Sequence, residues 1–134
     1  MSTDTQFTGR YEMVSSENYG EFLKAVGVGL IQRNLLEKAR PTITIGESAG
    51  RWTIETHTAL DNAVIVFELN KEFDDKMLDG RIARGTVTRD GNRLILVQRS
   101  GDDTATTLSE FFPTELKQTY SAKGVSAMRL FRRV

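Results

Sequence analysis

The fold is decided by residues 42–69, which read TITIGESAGRWTIETHTALDNAVIVFEL. Thr, Val and Ile concentrate in three short segments, Thr42–Ile45, Arg51–Thr56 and Ala63–Leu69. Turn-forming residues separate each segment from the next. Short β-branched segments bounded by Gly, Asn and Asp are typical of strands, and short connections are typical of hairpins. We therefore predict three consecutive antiparallel strands.

The same alternation of short strand-like segments and turns continues to the C-terminus. Further strand-like segments lie at Arg81–Thr88, Arg93–Gln98, Thr104–Phe111, Leu116–Tyr120 and Ser126–Arg132. Asp-Gly-Asn at 90–92 and Gly-Asp-Asp at 101–103 indicate hairpin turns, and the polar stretch 70–80 has room for another short strand. We predict one closed or nearly closed antiparallel sheet, because closure removes exposed strand edges.

The N-terminal side of this region has a different period. After a short strand at Gly9–Val14, residues 19–26 place their apolar side chains at i, i+3, i+4 and i+7, which is one stripe of a helix. Ser16 is the predicted N-cap of this helix. A second helical stretch covers 31–39 and ends at Pro41. The two stretches predict a short helix-turn-helix.

Composition narrows the classes of function. Eighteen basic residues balance eighteen acidic ones, so no overall field attracts nucleic acid or an anionic membrane. The chain has no cysteine, which excludes disulfides, thiolate zinc sites and thiol catalysis and fits a cytoplasmic protein better than a secreted one. Residues 1–8 lack the apolar core of a signal peptide, and no apolar run approaches the ~20 residues of a membrane span. We expect one monomeric domain over residues 1–134, without metal or cofactor.

The strand pattern by itself leaves two interpretations of the barrel interior. Several segments alternate apolar residues with Thr, Ser, Gln or Arg, and large apolar side chains are too few to fill two faces, which favours an internal cavity. A sheet with one solvated face and one packed face explains the same alternation and is the commoner arrangement.

The order of several short motifs resembles that of one known family. In chain order the motifs are GRYEM at 9–13, NY at 18–19, FL at 22–23, FELNKEFD at 67–74, DGR at 79–81, GNRL at 91–94, TTL at 106–108 and RLFRRV at 129–134. They resemble motifs of the intracellular fatty-acid-binding proteins, and the resemblance extends from about Phe7 to Val134. Gly20 departs from the pattern, because the family usually has Asp or Glu there.

This resemblance implies an all-β fold. The expected architecture is a ten-stranded antiparallel up-and-down β-barrel, a lipocalin-like clam of the calycin type, with the helix-turn-helix as a lid. A ligand would pass through a portal between the lid and the strand turns. The residues that the resemblance places at this portal are Val26, Val28, Ile31, Leu60 and Arg81.

The resemblance also implies a binding site for a lipid carboxylate, with Arg129 of the last strand as its anchor. A guanidinium stays protonated and offers a planar fork of donors to a carboxylate. Where many members have a second arginine and a tyrosine, this chain has Glu110 or its neighbour Ser109, and Phe131. The pattern is nearer to the liver-type and bile-acid-binding branch, which has a wider cavity. In that alignment Ser109 and Gln118 would be hydrogen-bonding partners beside Arg129.

An apolar wall around the lipid tail is a further implication. The expected contacts are Tyr11, Met13, Ile54, Leu60, Met77, Phe111 and Phe131, and other candidates are Phe22, Leu23, Ile31, Trp52, Val64 and Val66. Packing within the core is the alternative role for each of these residues. It is the expected role for Trp52 and Phe67.

Together these expectations describe a non-enzymatic carrier of long-chain fatty acids or similar amphipathic lipids, one or two per barrel. A bile-acid, sterol or retinoid-like carrier of the same fold is the first alternative. A small lipid-modifying enzyme is less favoured, because the single imidazole, His57, has no catalytic motif near it.

Basic residues on the predicted helices suggest a transient partner. They are Lys24, Arg33, Lys38 and Arg40, and they are candidate contacts for the headgroups of anionic membranes. Glu21 and Glu37 lie among them, so a solvated helix face explains the same charges.

Overall fold

The computed structural model describes residues 6–59 and 61–134. Within those ranges it has ten strands and two helices. The strands are β1 (Gly9–Glu17), β2 (Thr42–Ser48), β3 (Arg51–His57), β4 (Asn62–Glu68), β5 (Phe73–Lys76), β6 (Ile82–Asp90), β7 (Arg93–Ser100), β8 (Asp103–Phe111), β9 (Glu115–Ala122) and β10 (Val125–Arg133), and the helices between β1 and β2 are α1 (Tyr19–Ala25) and α2 (Leu30–Lys38). The helix pair and the strands predicted from the sequence are confirmed, and β5 lies within the polar stretch 70–80.

One antiparallel sheet contains all ten strands, in the order β4-β3-β2-β1-β10-β9-β8-β7-β6-β5. The first and last strands of the chain pair with each other, which brings the two halves of the sheet together. In the part of the chain that is described, β4 and β5 are the two edges and no backbone ladder joins them. The sheet is a nearly closed barrel, as predicted.

β1 is longer than predicted, and its last residues reach the functional site. The register shifts between Met13 and Ser15, and the strand continues so that Ser16 pairs with Arg129 of β10. The prediction that Ser16 caps α1 is wrong, because the N-cap is Asn18, with φ 61° and no side-chain cap bond. Asn tolerates this left-handed conformation, so the chain turns from strand into helix at one residue. Ser16 therefore lies on the barrel wall.

Two hairpin turns, one between β2 and β3 and one between β9 and β10, set the register of the strands that they join. Ala49-Gly50 has φ values of 52° and 82°, and Lys123-Gly124 has 50° and 76°. Positive φ at both central residues is the type I′ pattern, whose twist matches that of the strands it joins. The turn at Lys123-Gly124 connects β9 to β10 and fixes the register in which Gln118 lies opposite Arg129.

Apolar side chains pack into two separate clusters, one at each end of the barrel. The cluster at the end away from the helices is largely aromatic and contains Phe7, Tyr11, Ile43, Ile45, Trp52, Phe67, Val87, Leu94, Phe111, Leu116 and Phe131. The cluster beneath the helices contains Phe22, Leu23, Val26, Val28, Met77, Ala83, Ala105, Ala122 and Ala127. The small alanine side chains of the second cluster leave space under the helices.

The second helix lies on the surface of the barrel. None of the residues of α2 is buried, and the side chain of Ile31 is 81% exposed. Neither α1 nor α2 has the length and apolarity needed to cross a membrane.

Arg133, near the C-terminus, holds the N-terminal segment against the barrel. Its guanidinium donates hydrogen bonds to the backbone oxygens of Gln6 at 2.7 Å, Thr8 at 2.8 Å and Pro113 at 3.2 Å. It also donates to the Tyr11 hydroxyl at 2.6 Å and lies 4.7 Å from the centre of that ring. One side chain thus closes the aromatic end of the barrel.

We expect Arg133→Ala to lower the free energy of unfolding by about 2–3 kcal/mol, because several charge-assisted hydrogen bonds are lost at once. Urea denaturation measures this change. Arg132→Ala is the matched control, since Arg132 is the exposed neighbour on the same strand. Similar losses in both variants would contradict the role given to Arg133.

Candidate ligand cavity

A cavity of about 320 Å³ lies between the two apolar clusters. Such a volume is at the lower end of the range for small-molecule sites. Its apolar wall includes Phe22, Val26, Leu36, Ile43, Ile54, Ile65, Met77, Leu94, Leu96 and Phe131, and its polar wall includes Thr56, Asp75, Gln98, Thr107, Ser109, Gln118, Tyr120 and Arg129. Both kinds of surface converge on one interior space, as the cavity interpretation of the sequence requires.

Most of the predicted polar residues meet at this cavity. Arg129, Ser109 and Gln118 line it, as do Ile54, Met77 and Phe131 from the predicted apolar wall and Val26 from the predicted portal. Leu60, predicted for both the wall and the portal, lies outside the described residues.

Three residues predicted for the wall lie elsewhere. Tyr11 and Phe111 are fully packed in the aromatic cluster, and Met13 packs against that cluster. The reason is the barrel's depth, because aromatic side chains fill its far end and the cavity begins only beyond them. Val64 and Val66, considered for the same wall, are exposed, since their neighbours Ala63 and Ile65 take the inward face of β4.

The portal residues also differ from expectation. Val28 is buried in the cluster beneath the helices and does not line the cavity. Ile31 points to solvent, because α2 presents that face outward. Arg81 lies on the rim, where it donates to Asp79 at 2.6 Å and to Asp103 at 2.5 Å. The hydrogen bond from Arg81 holds the pKa of the Asp103 carboxyl below its usual value. The two ion pairs link the connection between β5 and β6 to the start of β8.

Gly20, the residue that departs from the family pattern, lies on α1 next to the side chain of Glu37 on α2. A β-carbon at this position would lie 2.5 Å from Oε2 of Glu37 on α2. This oxygen is the end of a flexible, exposed side chain that can move aside, so the packing of α1 against α2 does not require glycine here. The usual Asp or Glu would place a second carboxylate beside that of Glu37.

Arg129 is the central group of the cavity wall. Only 3% of its surface is exposed. Its Nε donates to Oγ of Ser16 at 3.1 Å, and Nη2 donates to the backbone oxygen of Leu36 on α2 at 3.4 Å. Its Cζ lies 3.5 Å from the centre of the Tyr19 ring on α1, a cation–π contact. Two helices and two strands thus hold one guanidinium.

No carboxylate of the described residues forms an ion pair with Arg129. Its hydrogen-bond partners are a neutral hydroxyl and a carbonyl. A buried charge without a counter-ion is costly, because it has lost hydration without gaining a partner of opposite sign. Arg129 also has more N–H groups than these two hydrogen bonds use. The arrangement favours an anionic group in the cavity.

Four polar side chains form a row across four adjacent strands. Ser109 of β8 lies opposite Gln118 of β9, Gln118 lies opposite Arg129 of β10, and Arg129 lies opposite Ser16 of β1. Glu110, the alternative to Ser109 at its position, points to the other face and pairs with Arg93 at 3.5 Å. The sheet register therefore selects Ser109 as the inward residue.

The hydrogen bonds along this row have a direction. The Tyr120 hydroxyl donates to Oε1 of Gln118 at 2.6 Å, and Nε2 of Gln118 donates to Oγ of Ser109 at 3.1 Å. The hydroxyl proton of Ser109 then remains available to an acceptor in the cavity.

The sequence analysis did not predict Tyr120 and Tyr19 as cavity residues. Tyr120 could have been predicted from strand periodicity, because it lies two residues after Gln118 and therefore on the same face of β9.

Burial affects the phenols next to Arg129. It raises the pKa of Tyr120 far above the usual value, and it raises the pKa of Tyr19 against the opposing charge of Arg129. Both phenols are therefore neutral at physiological pH. His57, by contrast, is exposed, hydrogen-bonds Asn62 at 3.3 Å and does not line the cavity.

Known proteins share this sequence and fold. The profile of the lipocalin / cytosolic fatty-acid binding protein family matches residues 5–134. A fatty acid-binding protein of Tyrophagus putrescentiae is 36% identical over 129 residues, which are 96% of this chain and 98% of that protein. The solved structure of a fatty acid-binding protein from the brain of Drosophila melanogaster has a TM-score of 0.91 at 34% identity and covers 95% of this chain and 99% of its own. A Schistosoma mansoni fatty acid binding protein in complex with arachidonic acid has a TM-score of 0.91 at 25% identity, covering 96% of each chain.

The three tyrosines should make the protein less stable at alkaline pH. Burial raises the pKa of all three, Tyr11, Tyr19 and Tyr120, above the ordinary value of 10.0. Above pH 10 the unfolded chain therefore binds fewer protons than the folded chain, so the free energy of unfolding falls as the pH rises. The fall is as much as about 1.4 kcal/mol per pH unit for each phenol still protonated in the folded state.

Tyrosinate absorbance recorded together with circular dichroism measures this transition. We expect the phenols to ionise together with the loss of native structure. Ionisation near pH 10 in a protein that keeps its native circular dichroism would contradict the assignment.

Proposed function

The chain belongs to the lipocalin / cytosolic fatty-acid binding protein family, and on that premise we propose that it binds a long-chain fatty acid or a similar amphipathic lipid and carries it within the cell. The single observation that carries this proposal is the buried Arg129 guanidinium, which faces the cavity without a carboxylate partner among the described residues. A lipid carboxylate supplies the missing charge. Relatives whose names and structures refer to fatty acids support the same ligand class.

In this proposal Arg129 anchors the carboxylate, and Ser109 and Gln118 assist. A buried carboxylate needs a fixed cation or several hydrogen bonds, because dehydration costs it several kcal/mol. Arg129 supplies the cation and Ser109 supplies a free hydroxyl proton. Tyr120 orients Gln118 and through it Ser109. The polar row is thus a positioned set of donors.

The apolar wall holds the lipid tail. A 16-carbon tail gains about 0.8 kcal/mol for each buried methylene, or roughly 12 kcal/mol before costs. Loss of motion and ordering of the ligand remove several kcal/mol or more. Dissociation constants between about nanomolar and micromolar follow from this balance. Ile54, Met77 and Phe131 are the predicted ligand contacts that line the cavity.

The liver-type and bile-acid-binding branch is the finer assignment that we propose. Its support is Ser109, an inward serine where many members have a second arginine. With one cation instead of two, the polar end of the cavity is less specific for one curled fatty acid. Bile acids, sterols and retinoid-like lipids are therefore the alternative ligands, and a cavity of about 320 Å³ favours one bound lipid over two.

The remaining assignments follow from the same premise. We propose that residues 1–134 act as one monomeric domain in the cytoplasm, and that the protein is a carrier and not an enzyme. The absence of cysteine supports the compartment. The exposed position of His57 supports the carrier role, because an imidazole outside the cavity does not reach a bound lipid.

We further propose transient contact between the helices and anionic membranes during ligand transfer. Leu30 and Ile31 on α2 are 62% and 81% exposed, and they form an apolar surface that is open to solvent. Lys24 and Lys38 stand in the last turns of the two helices. Exposed apolar side chains flanked by lysines are typical of helices that lie on a membrane surface.

Replacement of the anchor tests the ligand site. We expect Arg129→Ala to weaken palmitate binding by about tenfold or more and hexadecanol binding by about threefold or less, because only palmitate carries the charge. Calorimetry measures both affinities. Arg132→Ala on the same strand is the control, and Arg129→Met serves if the alanine variant does not fold. Equal losses for acid and alcohol would show that Arg129 acts through packing alone.

Charge reversal tests the membrane contact. We expect Lys24→Glu with Lys38→Glu to abolish salt-sensitive binding to vesicles of anionic lipid and to leave the already weak binding to neutral vesicles unchanged. Vesicle co-sedimentation measures this. The double reversal of Arg10 and Arg132 on the barrel wall makes the same change in net charge and should leave binding intact. If both double variants lose binding equally, the helices are not the contact surface.

A further inference from the structure

A second polar group lines the cavity away from Arg129. Asp75 of β5 is half-buried and faces the interior, and Gln98 of β7 faces the same space. Oδ2 of Asp75 accepts a hydrogen bond from Nε2 of Gln98 at 2.8 Å. The preceding residue, Asp74, points the other way, with a side chain that is 86% exposed and paired with Arg84. Two adjacent aspartates therefore have opposite environments.

This pair of side chains offers acceptors to the cavity. Nε2 of Gln98 donates to Asp75 and also to the backbone oxygen of Lys76 at 3.0 Å, so both of its hydrogens are used. Oδ1 of Asp75 accepts from the backbone nitrogen of Lys76 at 2.8 Å. Each carboxylate oxygen has capacity for a further bond, and so has Oε1 of Gln98. A group that binds here must donate a hydrogen bond.

No cation of the described chain forms an ion pair with Asp75. Lys76, which also borders the cavity, is exposed and forms no ion pair with a described residue. Arg81 on the rim is paired with Asp79 and Asp103. Asp61 also borders the cavity and is exposed. Among the described residues that line the cavity, Arg129 is thus a buried cation without an ion pair and Asp75 is a half-buried carboxylate without one.

The two charges are far apart on the barrel wall. Gln98 lies four residues along β7 from Leu94, the partner of Ser109, which is about 13 Å of strand. Ser109 and Arg129 are separated by one intervening strand, or about 10 Å across the sheet. Ala83 and Ala105, which pair with Asp75 and Gln98, belong to the cluster beneath the helices. Gln98 on β7 is three strands from Arg129 on β10, or about 14 Å across the sheet. With the ~13 Å along the strand, the acceptors lie roughly 19 Å along the wall from Arg129, level with the alanines beneath the helices.

We propose that Asp75 and Gln98 form a second subsite that binds a hydroxyl group at the end of the acyl chain remote from its carboxylate. The preferred ligands are then fatty acids hydroxylated at or near the methyl end. This inference rests on the proposed function, because it needs the carboxylate to occupy Arg129. A hydroxyl donates to the Asp75 carboxylate, whereas a second carboxylate is repelled by it.

Binding of four matched ligands to the full chain tests the subsite. The ligands are palmitate, ω-hydroxypalmitate, α-hydroxypalmitate and hexadecanedioate, and calorimetry gives each affinity. We expect the wild-type protein to bind ω-hydroxypalmitate at least as tightly as palmitate and more tightly than α-hydroxypalmitate. In Asp75→Ala the affinity for ω-hydroxypalmitate should fall about tenfold relative to palmitate.

The dicarboxylate provides an independent readout of charge. We expect hexadecanedioate to bind the wild-type protein more weakly than palmitate and to improve in Asp75→Asn, which keeps the size of the side chain and removes its charge. Asp74→Asn is the matched control and should change neither the dicarboxylate nor the hydroxylated ligands. Thermal unfolding of each variant verifies that it is folded. If Asp75→Ala does not fold, Asp75→Asn alone tests whether Asp75 forms the subsite.

Three results would overturn the subsite. They are weaker binding of ω-hydroxypalmitate than of palmitate to the wild type, an equal loss for all ligands in Asp75→Ala, and no gain for hexadecanedioate in Asp75→Asn. Each is distinct from a failure of the proposed function, which would appear as no saturable binding of palmitate to the wild-type protein.

Discussion

A buried guanidinium without a carboxylate partner in the described chain is the constraint on which the rest of this structure depends. Arg129 is held by a hydroxyl, a helix carbonyl and an aromatic face, and none of these neutralises its charge. The fold thus carries a desolvation cost that an anionic ligand relieves. Both helices contribute to its surroundings, through Tyr19 and Leu36. Occupancy of the cavity and the position of the helices are therefore physically connected.

The apolar side chains of the barrel are distributed so that a cavity remains next to the Arg129 guanidinium. Large aromatic rings fill one end, where Arg133 secures the N-terminal segment. Alanines take several of the inward positions at the helix-covered end, and the remaining volume is the cavity. Within it, donors gather around Arg129 and acceptors around Asp75. A cavity with two polar regions of opposite sign selects ligands by the spacing of their polar groups as well as by their length.

The polar residues of the site, Arg129, Ser109 and Gln118, were predictable from the family resemblance, and the alternation of strand residues explains why they meet. Once Arg129 is placed inward, the pairing of antiparallel strands brings Gln118 and Ser109 beside it and directs Glu110 outward. The depth of each residue in the barrel was not predictable, which is why Tyr11, Met13 and Phe111 lie in or against the aromatic core and not at the cavity. The outward direction of Ile31 depends on how α2 packs on α1, a contact that helical periodicity does not contain.

The sequence by itself determined the order of the strands and helices and the hairpin turns, because these follow from local backbone preference and from the period of each segment. Only the tertiary structure decided which distant groups meet. Ser16 reaches Arg129 through a register shift in β1, and Gln98 reaches Asp75 across an intervening strand. Such contacts depend on how the sheet curves and closes, and closure is a property of all ten strands together that no local segment contains.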